Sequence, residues 1–335
     1  MDISSNKQAL VLGASGGIGG EVARQLRDAG WRVRALKRGL DTVTEQRDGI
    51  TWQRGDAMNR DDVMSAARGC QAIVHAVNPP GYRHWAQRVL PMVDNTIAAA
   101  IAERATIVLP GTVYNYGHDA FPLIAEDAPQ HPTSRKGGIR VEMEDRLHAA
   151  TTRGARVIVV RAGDFFGPRA GNSWFSQGLV KPGQPVQKIL LPGKPGVGHQ
   201  WAYLPDVART MVALLGRGET LAPFARFHMA GHWDADGTRM AQAIRAVARR
   251  HGQDPAMAAF PWWLTWALAP FVPTLRELRE MRYLWNAPVR LDGRHLADML
   301  GEEPHTPLED AVEATLAGMG CIPRTGASPA LAGAG

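Results

Sequence analysis

From residue 8 to about residue 230 the chain alternates short apolar runs with amphipathic stretches whose apolar positions recur every three or four residues. Ala9 to Leu12 reads as a buried strand, and Glu21 to Ala29 as a helix that stops at Gly30. Trp31 to Arg38, Ile50 to Ala57, Ala72 to Asn78, Thr106 to Leu109 and the run from Arg156 read as further strands. Between them lie helical patterns at Asp61 to Ala67 and Val89 to Ala105. A helix over Val207 to Leu215 with Asp206 as its N-cap follows, then a short strand at Phe227 to Gly231 and an amphipathic helix at Thr238 to Arg250. Leu275 to Trp285 and a last helix opened by Pro307 complete the pattern. Strands alternating with helices predict an α/β fold: a Rossmann-like doubly wound parallel sheet with a smaller C-terminal substrate-binding portion. The expected division is 7–170, with 200–230 returning to it, against 171–199 and 232–320. Residues 323–335 are expected to be disordered.

The joint between the first strand and helix carries chemistry. Gly13-Ala14-Ser15-Gly16-Gly17-Ile18-Gly19 places glycines three apart. Gly13 permits a tight turn, Gly16 lets backbone approach a pyrophosphate, and Gly19 lets helix and strand pack closely. Helix-start N–H groups over Ser15, Gly17 and Ile18 then face phosphates, assisted by the helix dipole. At the end of the second strand, where an acid accepts the ribose hydroxyls in NAD-binding proteins, stand Lys37 and Arg38. Two cations favour a 2′-phosphate, so NADP is expected ahead of NAD.

This glycine spacing resembles the short-chain dehydrogenase/reductase superfamily, in its extended and atypical branches that include NAD-dependent epimerase/dehydratase proteins. The resemblance implies that Gly55-Asp56-Ala57 borders adenine and that the strand ending Ala76-Val77-Asn78 lies beside the nicotinamide ribose. It also places a hydroxyl four residues before a Tyr-Gly pair, which here is Thr112 ahead of Tyr116-Gly117. Active relatives carry Tyr-x-x-x-Lys on the next helix, two side chains on one helical face. This chain has no such pair. Aligning the Glu that follows the family's Lys puts Arg140 on the Lys position and Lys136 on the Tyr position, whereas aligning the Pro-Gln-x-Pro lead puts Thr133 on the Tyr position. Proton transfer is expected from Lys136, as in the related ether and isoflavone reductases, or from Tyr114 or Tyr116 with Thr112 assisting. Arg140 would hold ribose or phosphate.

A second departure is Asp164, where the resemblance implies an Asn that helps bind a nucleotide-sugar diphosphate. His199 stands where an Arg often grips that diphosphate. Both argue against a nucleotide-sugar substrate. Residues 170–198, rich in Gly and Pro, have a lid's composition, and Asn172 falls within them. Tyr82 to Trp85 is a loop expected near substrate. Phe260 to Pro273, strongly aromatic, is too short to span a bilayer and is expected as core or pocket wall.

Composition narrows this picture modestly. The chain has 335 residues, 45% hydrophobic and 21% charged, with a net charge of +6. No basic block or nucleic-acid-binding motif accompanies that charge, so no nucleic-acid partner is expected. Cys70 and Cys321 are the only cysteines, which suggests a reducing cytoplasm and neither a disulfide framework nor a cysteine metal site; no other metal site is expected. The N-terminus shows no signal segment. The first expectation is thus an NADP-dependent oxidoreductase acting on a small, mostly apolar carbonyl or alcohol. Two alternatives stand beside it, an NAD-dependent epimerase/dehydratase of a sugar-like substrate and a non-catalytic NADP(H) sensor. Partners are a small molecule and, as an open option, a second copy of the chain.

Overall fold

The computed structural model describes residues 7–79, 85–171, 173–268 and 280–323. Its centre is an eight-stranded sheet built from β1 (Gln8–Leu12), β2 (Arg32–Lys37), β3 (Thr44–Arg47), β4 (Ile50–Arg54), β5 (Ala72–His75), β6 (Thr106–Gly111), β8 (Arg156–Arg161) and β12 (Phe224–His228). The strand order is β12-β8-β6-β5-β1-β2-β4-β3, and every pairing is parallel except β3 with β4. The fold is therefore the expected doubly wound α/β sheet. The antiparallel β3 was not foreshadowed. Its four residues are all polar and none is buried, so it lacks the apolar alternation by which strands are recognised.

Helices cover both faces. On one side lie α1 (Gly17–Asp28) and α5 (Leu204–Gly216); on the other lie α2 (Arg60–Ala67), α3 (Trp85–Glu103) and α4 (Arg135–Thr151). The first strand shows why. Ala9 and Val11 point into the α1 side, Leu10 and Leu12 into the opposite side, and all four are essentially inaccessible to water. A strand sending its side chains alternately to two faces supports two helical layers. Each fully buried Leu contributes about 1.5–3 kcal/mol to that arrangement.

The remaining pieces form smaller sheets above the strand ends. They are β7 (Leu123–Ile124), β9 (Asp164–Phe166), β10 (Lys188–Leu191), β11 (His199–Tyr203), β13 (His232–Asp234), β14 (Ala256–Ala259) and β15 (Arg290–Leu291). With them come α6 (Arg239–Arg250), α7 (Trp262–Leu268), α8 (Arg294–Leu300) and α9 (Leu308–Gly318). Residues 170–198 are more built than a lid's composition implies. Phe175, Leu179 and Ile189 are buried in a core shared with α6 and α9, and β10 pairs with β14. Asp206 is not an N-cap, since α5 starts two residues earlier at Leu204. Its carboxylate instead accepts from the Thr306 N–H at 2.7 Å and the Thr306 hydroxyl at 2.8 Å, tying the entry of α9 to α5.

Of the aromatic stretch, Trp262 packs near Trp174 and its indole N–H donates to the Pro192 carbonyl at 2.8 Å. Trp263 is 73% exposed, so the segment is neither wholly core nor wall. Residues 269–279 and the expected tail beyond 323 lie outside the described residues, as do Tyr82, His84 and Asn172. Trp85, assigned to the same loop by sequence, is the buried first residue of α3. No helix among the described residues is long and apolar enough to cross a membrane.

Candidate active site

A cleft of about 1300 Å³ runs along the C-terminal ends of the parallel strands. This is where open α/β sheets place their ligands. Gly13, Ser15, Gly16, Gly17 and Ile18 form one end, with Lys37, Arg38, Asp56, Ala57, Ala76 and Asn78 beside them. The glycines are dictated by space. Gly13 has φ +90°, and a Cβ there would fall 2.5 Å from the Ala76 carbonyl oxygen. A Cβ on Gly19 would lie 2.3 Å from the Gly13 carbonyl oxygen; Gly19 supports the turn from behind without lining the cleft. Gly16 is the N-cap of α1, which has no side-chain cap, so its first-turn N–H groups are available to an anion. Among the described lining residues, seven Lys and Arg face two Asp, a balance that favours a phosphate-bearing ligand. Lys37 lies over the Trp52 ring at 5.6 Å, and Arg38, 4.0 Å from Asp56, is 67% exposed in its side chain.

The other end is lined by Thr112, Tyr114, Lys136, Arg140, Asp164, Phe165, Trp174 and Met281. Ser134 caps α4 by accepting from the Gly137 N–H at 3.0 Å. That cap fixes the helix start, and Lys136 and Arg140 then sit one turn apart on the cleft wall. Thr133 precedes the cap, is exposed and does not line the cleft. Lys136 is buried, 3.9 Å from Glu280, and Arg140 packs on the Trp85 ring at 5.0 Å and points to Asn78 at 3.4 Å.

The two tyrosines separate. A 3-10 turn over Val113–Asn115 leaves Tyr114 on the cleft and turns Tyr116 into the interior. Tyr116 is fully buried against His228, 3.3 Å from its Nε2, and burial holds its phenol above the ordinary range. It cannot reach a ligand in the cleft, which corrects the sequence expectation for that residue. Thr112 does face the cleft. Its hydroxyl proton is committed to Asn115 Oδ1 at 2.7 Å, so toward a ligand Thr112 Oγ1 acts as an acceptor.

Sequence reasoning missed what braces this wall. Asn115 donates to Glu144 at 2.8 Å, Glu144 pairs with the fully buried Arg161, and Arg161 donates to the Thr112 carbonyl. The signal was present, for Arg161 is a charge that directly follows four apolar strand residues and is wholly buried. Met92 and Gln177 also line the cleft without having been singled out, while His75, which the sequence suggests is a satisfied core histidine, is buried on the cleft wall with its Nδ1 2.8 Å from the Thr96 hydroxyl. Asp164 lines it too, and its Oδ2 lies 2.8 Å from His199 Nε2. His199 stacks on Trp285 with ring centroids 3.7 Å apart and lies behind Asp164, outside the main cleft.

The fold and the glycine-lined cleft define a Rossmann-like α/β protein. Its sequence matches the NAD dependent epimerase/dehydratase family over residues 9–230, and the chain belongs to that family. A sequence comparison with functionally described proteins returns no match. Similar solved structures include a UDP-glucuronic acid 4-epimerase from Bacillus cereus in complex with UDP-glucuronic acid and NAD, at 15% identity and TM-score 0.68, covering 93% of this chain and 98% of that one. The Bordetella bronchiseptica enzyme WbmH in complex with NAD+ aligns at 17% identity and TM-score 0.66, over 93% and 97%. A UDP-glucose 4-epimerase aligns at 15% identity and TM-score 0.70, over 92% and 96%.

Proposed function

We propose that this protein binds a nicotinamide dinucleotide on the Gly13–Gly19 turn and acts on a secondary alcohol of a sugar-like small molecule, following the epimerase/dehydratase course of its family. The observation that carries this reading is the placement of Lys136 and Arg140 on successive turns of α4, facing the cleft that the glycine turn opens into. The residues fit the cofactor, because the space a Cβ would need at Gly13 and Gly19 is already taken by backbone, leaving the turn bare for a diphosphate. When bound, the nicotinamide supplies a site that takes up a hydride and returns it.

The chain's own residues supply the rest. Thr112 Oγ1 accepts from a neighbouring hydroxyl of the sugar-like substrate and so orients the reacting oxygen, whose own proton is left free to transfer. Lys136 takes the proton from that oxygen and gives it back, with Tyr114 the other cleft-facing group able to do so. Arg140, with its guanidinium fork, holds ribose or phosphate. Asp164, braced by His199, leaves the substrate end ill-suited to a second diphosphate, which favours a sugar-like compound without a nucleotide.

This reading follows the second of the sequence expectations rather than the first. Family membership and the epimerase neighbours favour internal return of the hydride over a free oxidoreductase, and the cofactor named with two of those neighbours is NAD, which gives no support to an NADP preference.

The test uses the full chain with substoichiometric NAD+ or NADP+ and a panel of unphosphorylated and phosphorylated sugars, followed by NMR and by absorbance of the reduced cofactor. Configurational change or loss of water without net cofactor reduction supports the proposal. Stoichiometric reduction points instead to the oxidoreductase, and tight cofactor binding with neither outcome points to the sensor. Lys136→Met is expected to lower turnover about 100-fold or more while cofactor affinity changes little; unchanged turnover removes Lys136 from the chemistry.

A further inference from the structure

Away from the cleft, the first turn of α5, strand β13 and the segment leading into α9 converge. Asp206, His232 and His305 each bring one ligand atom to this point, all within 4.8 Å of one another. His232 is only 5% exposed, and its Nε2 has no hydrogen-bond partner. The His232 and His305 rings lie 4.4 Å apart at 46°, close but not stacked. A buried imidazole with an unpartnered nitrogen, in a ring that lies beside a second imidazole and a carboxylate, calls for a ligand.

We propose that Asp206, His232 and His305 form a binding site for a divalent transition-metal ion of the zinc class, with water in the remaining position. Two imidazoles and one carboxylate suit zinc, cobalt or nickel, whereas calcium and magnesium demand oxygen ligands. Asp206 is already oriented from behind. Its Oδ1 accepts from the Thr306 hydroxyl and from Arg209, and its Oδ2 accepts only from the Thr306 N–H, so Oδ2 keeps a lone pair for a ligand. The same bonds place the adjacent His305. Metal bonds of about 2.0–2.2 Å require ligand atoms roughly 3.5 Å apart. The group therefore has to draw in slightly. His305 supplies the movement, because it is exposed and 303–307 has no helix or strand to hold it. The surrounding charges are mixed, with Arg209 on Asp206 and Arg239 near His232 set against Glu303 near His305. A bound ion would cross-link α5, β13 and α9, the elements that fasten the C-terminal region to the sheet.

The test titrates chelator-treated full chain, without an affinity tag, with Co2+ and then Zn2+. One equivalent of Co2+ is expected to bind with visible ligand-field absorbance that Zn2+ displaces, and Zn2+ is expected to raise the thermal midpoint. His305→Ala, at an exposed position, is expected to weaken uptake at least tenfold and abolish the thermal shift, whereas His131→Ala on another exposed histidine changes neither. No saturable uptake below about 100 μM, or equal uptake by His305→Ala, overturns the site.

Discussion

Arg161 Nη2 lies 2.9 Å from each carboxylate oxygen of Glu144, and the two side chains are 0% and 5% exposed. This interior ion pair joins the end of β8 to the middle of α4. Through Asn115 and the Thr112 carbonyl it also fixes the exit of β6. One pair thus sets the positions of Thr112 and of the helix that carries Lys136 and Arg140.

Removing half of that pair leaves a buried charge without its counterpart. Glu144→Ala is expected to cost about 3–5 kcal/mol. Replacing both partners, as Arg161→Met with Glu144→Leu, should cost clearly less, because no uncompensated charge remains. Urea unfolding of the two single variants and the double variant measures the coupling. A single replacement costing less than about 1 kcal/mol shows that the pair does not hold the wall.

Acid should unfold this protein through its buried histidines. Burial, with Arg140 nearby, pushes His75 down to about 3; burial and Arg161 push His228 down to about 3 as well. In the unfolded chain both return to near 6.5. Between those values the unfolded state binds the extra protons, so stability rises with pH. The contribution is complete above pH 6.5 and is lost as pH falls toward 3, by up to about 1.4 kcal/mol per pH unit for each histidine. His75→Gln should reduce the slope of unfolding free energy between pH 4 and 6 by about one proton. An unchanged slope would mean that His75 is already protonated in the fold.

What the sequence made legible follows from which signals are local. The sheet was readable because β1, β5, β6 and β8 carry apolar runs while β2 and β4 place apolar residues at alternating positions, and the turn because Gly13, Gly16 and Gly19 answer to backbone distances within a few residues. The choice between Tyr114 and Tyr116 was not readable. It depends on a 3-10 turn that rotates one ring out and the other in. Nor was it readable that Ser134 would cap α4 between Thr133 and Lys136 and leave only Lys136 on the cleft. Asp206 precedes a helical pattern and so resembled an N-cap, but its partner Thr306 lies 100 residues away. The pairing of Arg161 with Glu144, and the meeting of His232 with His305, likewise needed the tertiary fold.

Lys37 and Arg38 allow the cofactor to be examined by subtraction. Both line the cleft at the end of β2, and Arg38 is the more exposed, with Asp56 its partner at 4.0 Å. If they meet a 2′-phosphate, the double variant Lys37→Ala, Arg38→Ala should weaken NADP by about tenfold or more, since charge-assisted hydrogen bonds are worth about 1.5–3 kcal/mol each. NAD affinity should stay within about threefold. Fluorescence titration of both cofactors against native and variant protein reads this directly. Equal losses for NAD and NADP would assign the two cations to general attraction rather than to the 2′-phosphate.

The proposed preference for a sugar-like compound over a nucleotide sugar rests on Asp164. Its carboxylate faces the substrate end, and His199, stacked on Trp285, fixes it there through the 2.8 Å contact. A diphosphate drawn into that end meets like charge at short range, a repulsion worth about 1–2 kcal/mol once solvent screening is counted. UDP should therefore compete poorly with substrate in the native protein. Asp164→Asn keeps the shape and removes the charge, so UDP affinity should rise about five- to thirtyfold, with binding at the glycine turn unaffected. Calorimetry with UDP, run in the presence of saturating dinucleotide, isolates the substrate end. Micromolar UDP binding by native protein, or no gain in the variant, would return the nucleotide sugars of its structural neighbours to the front as substrates.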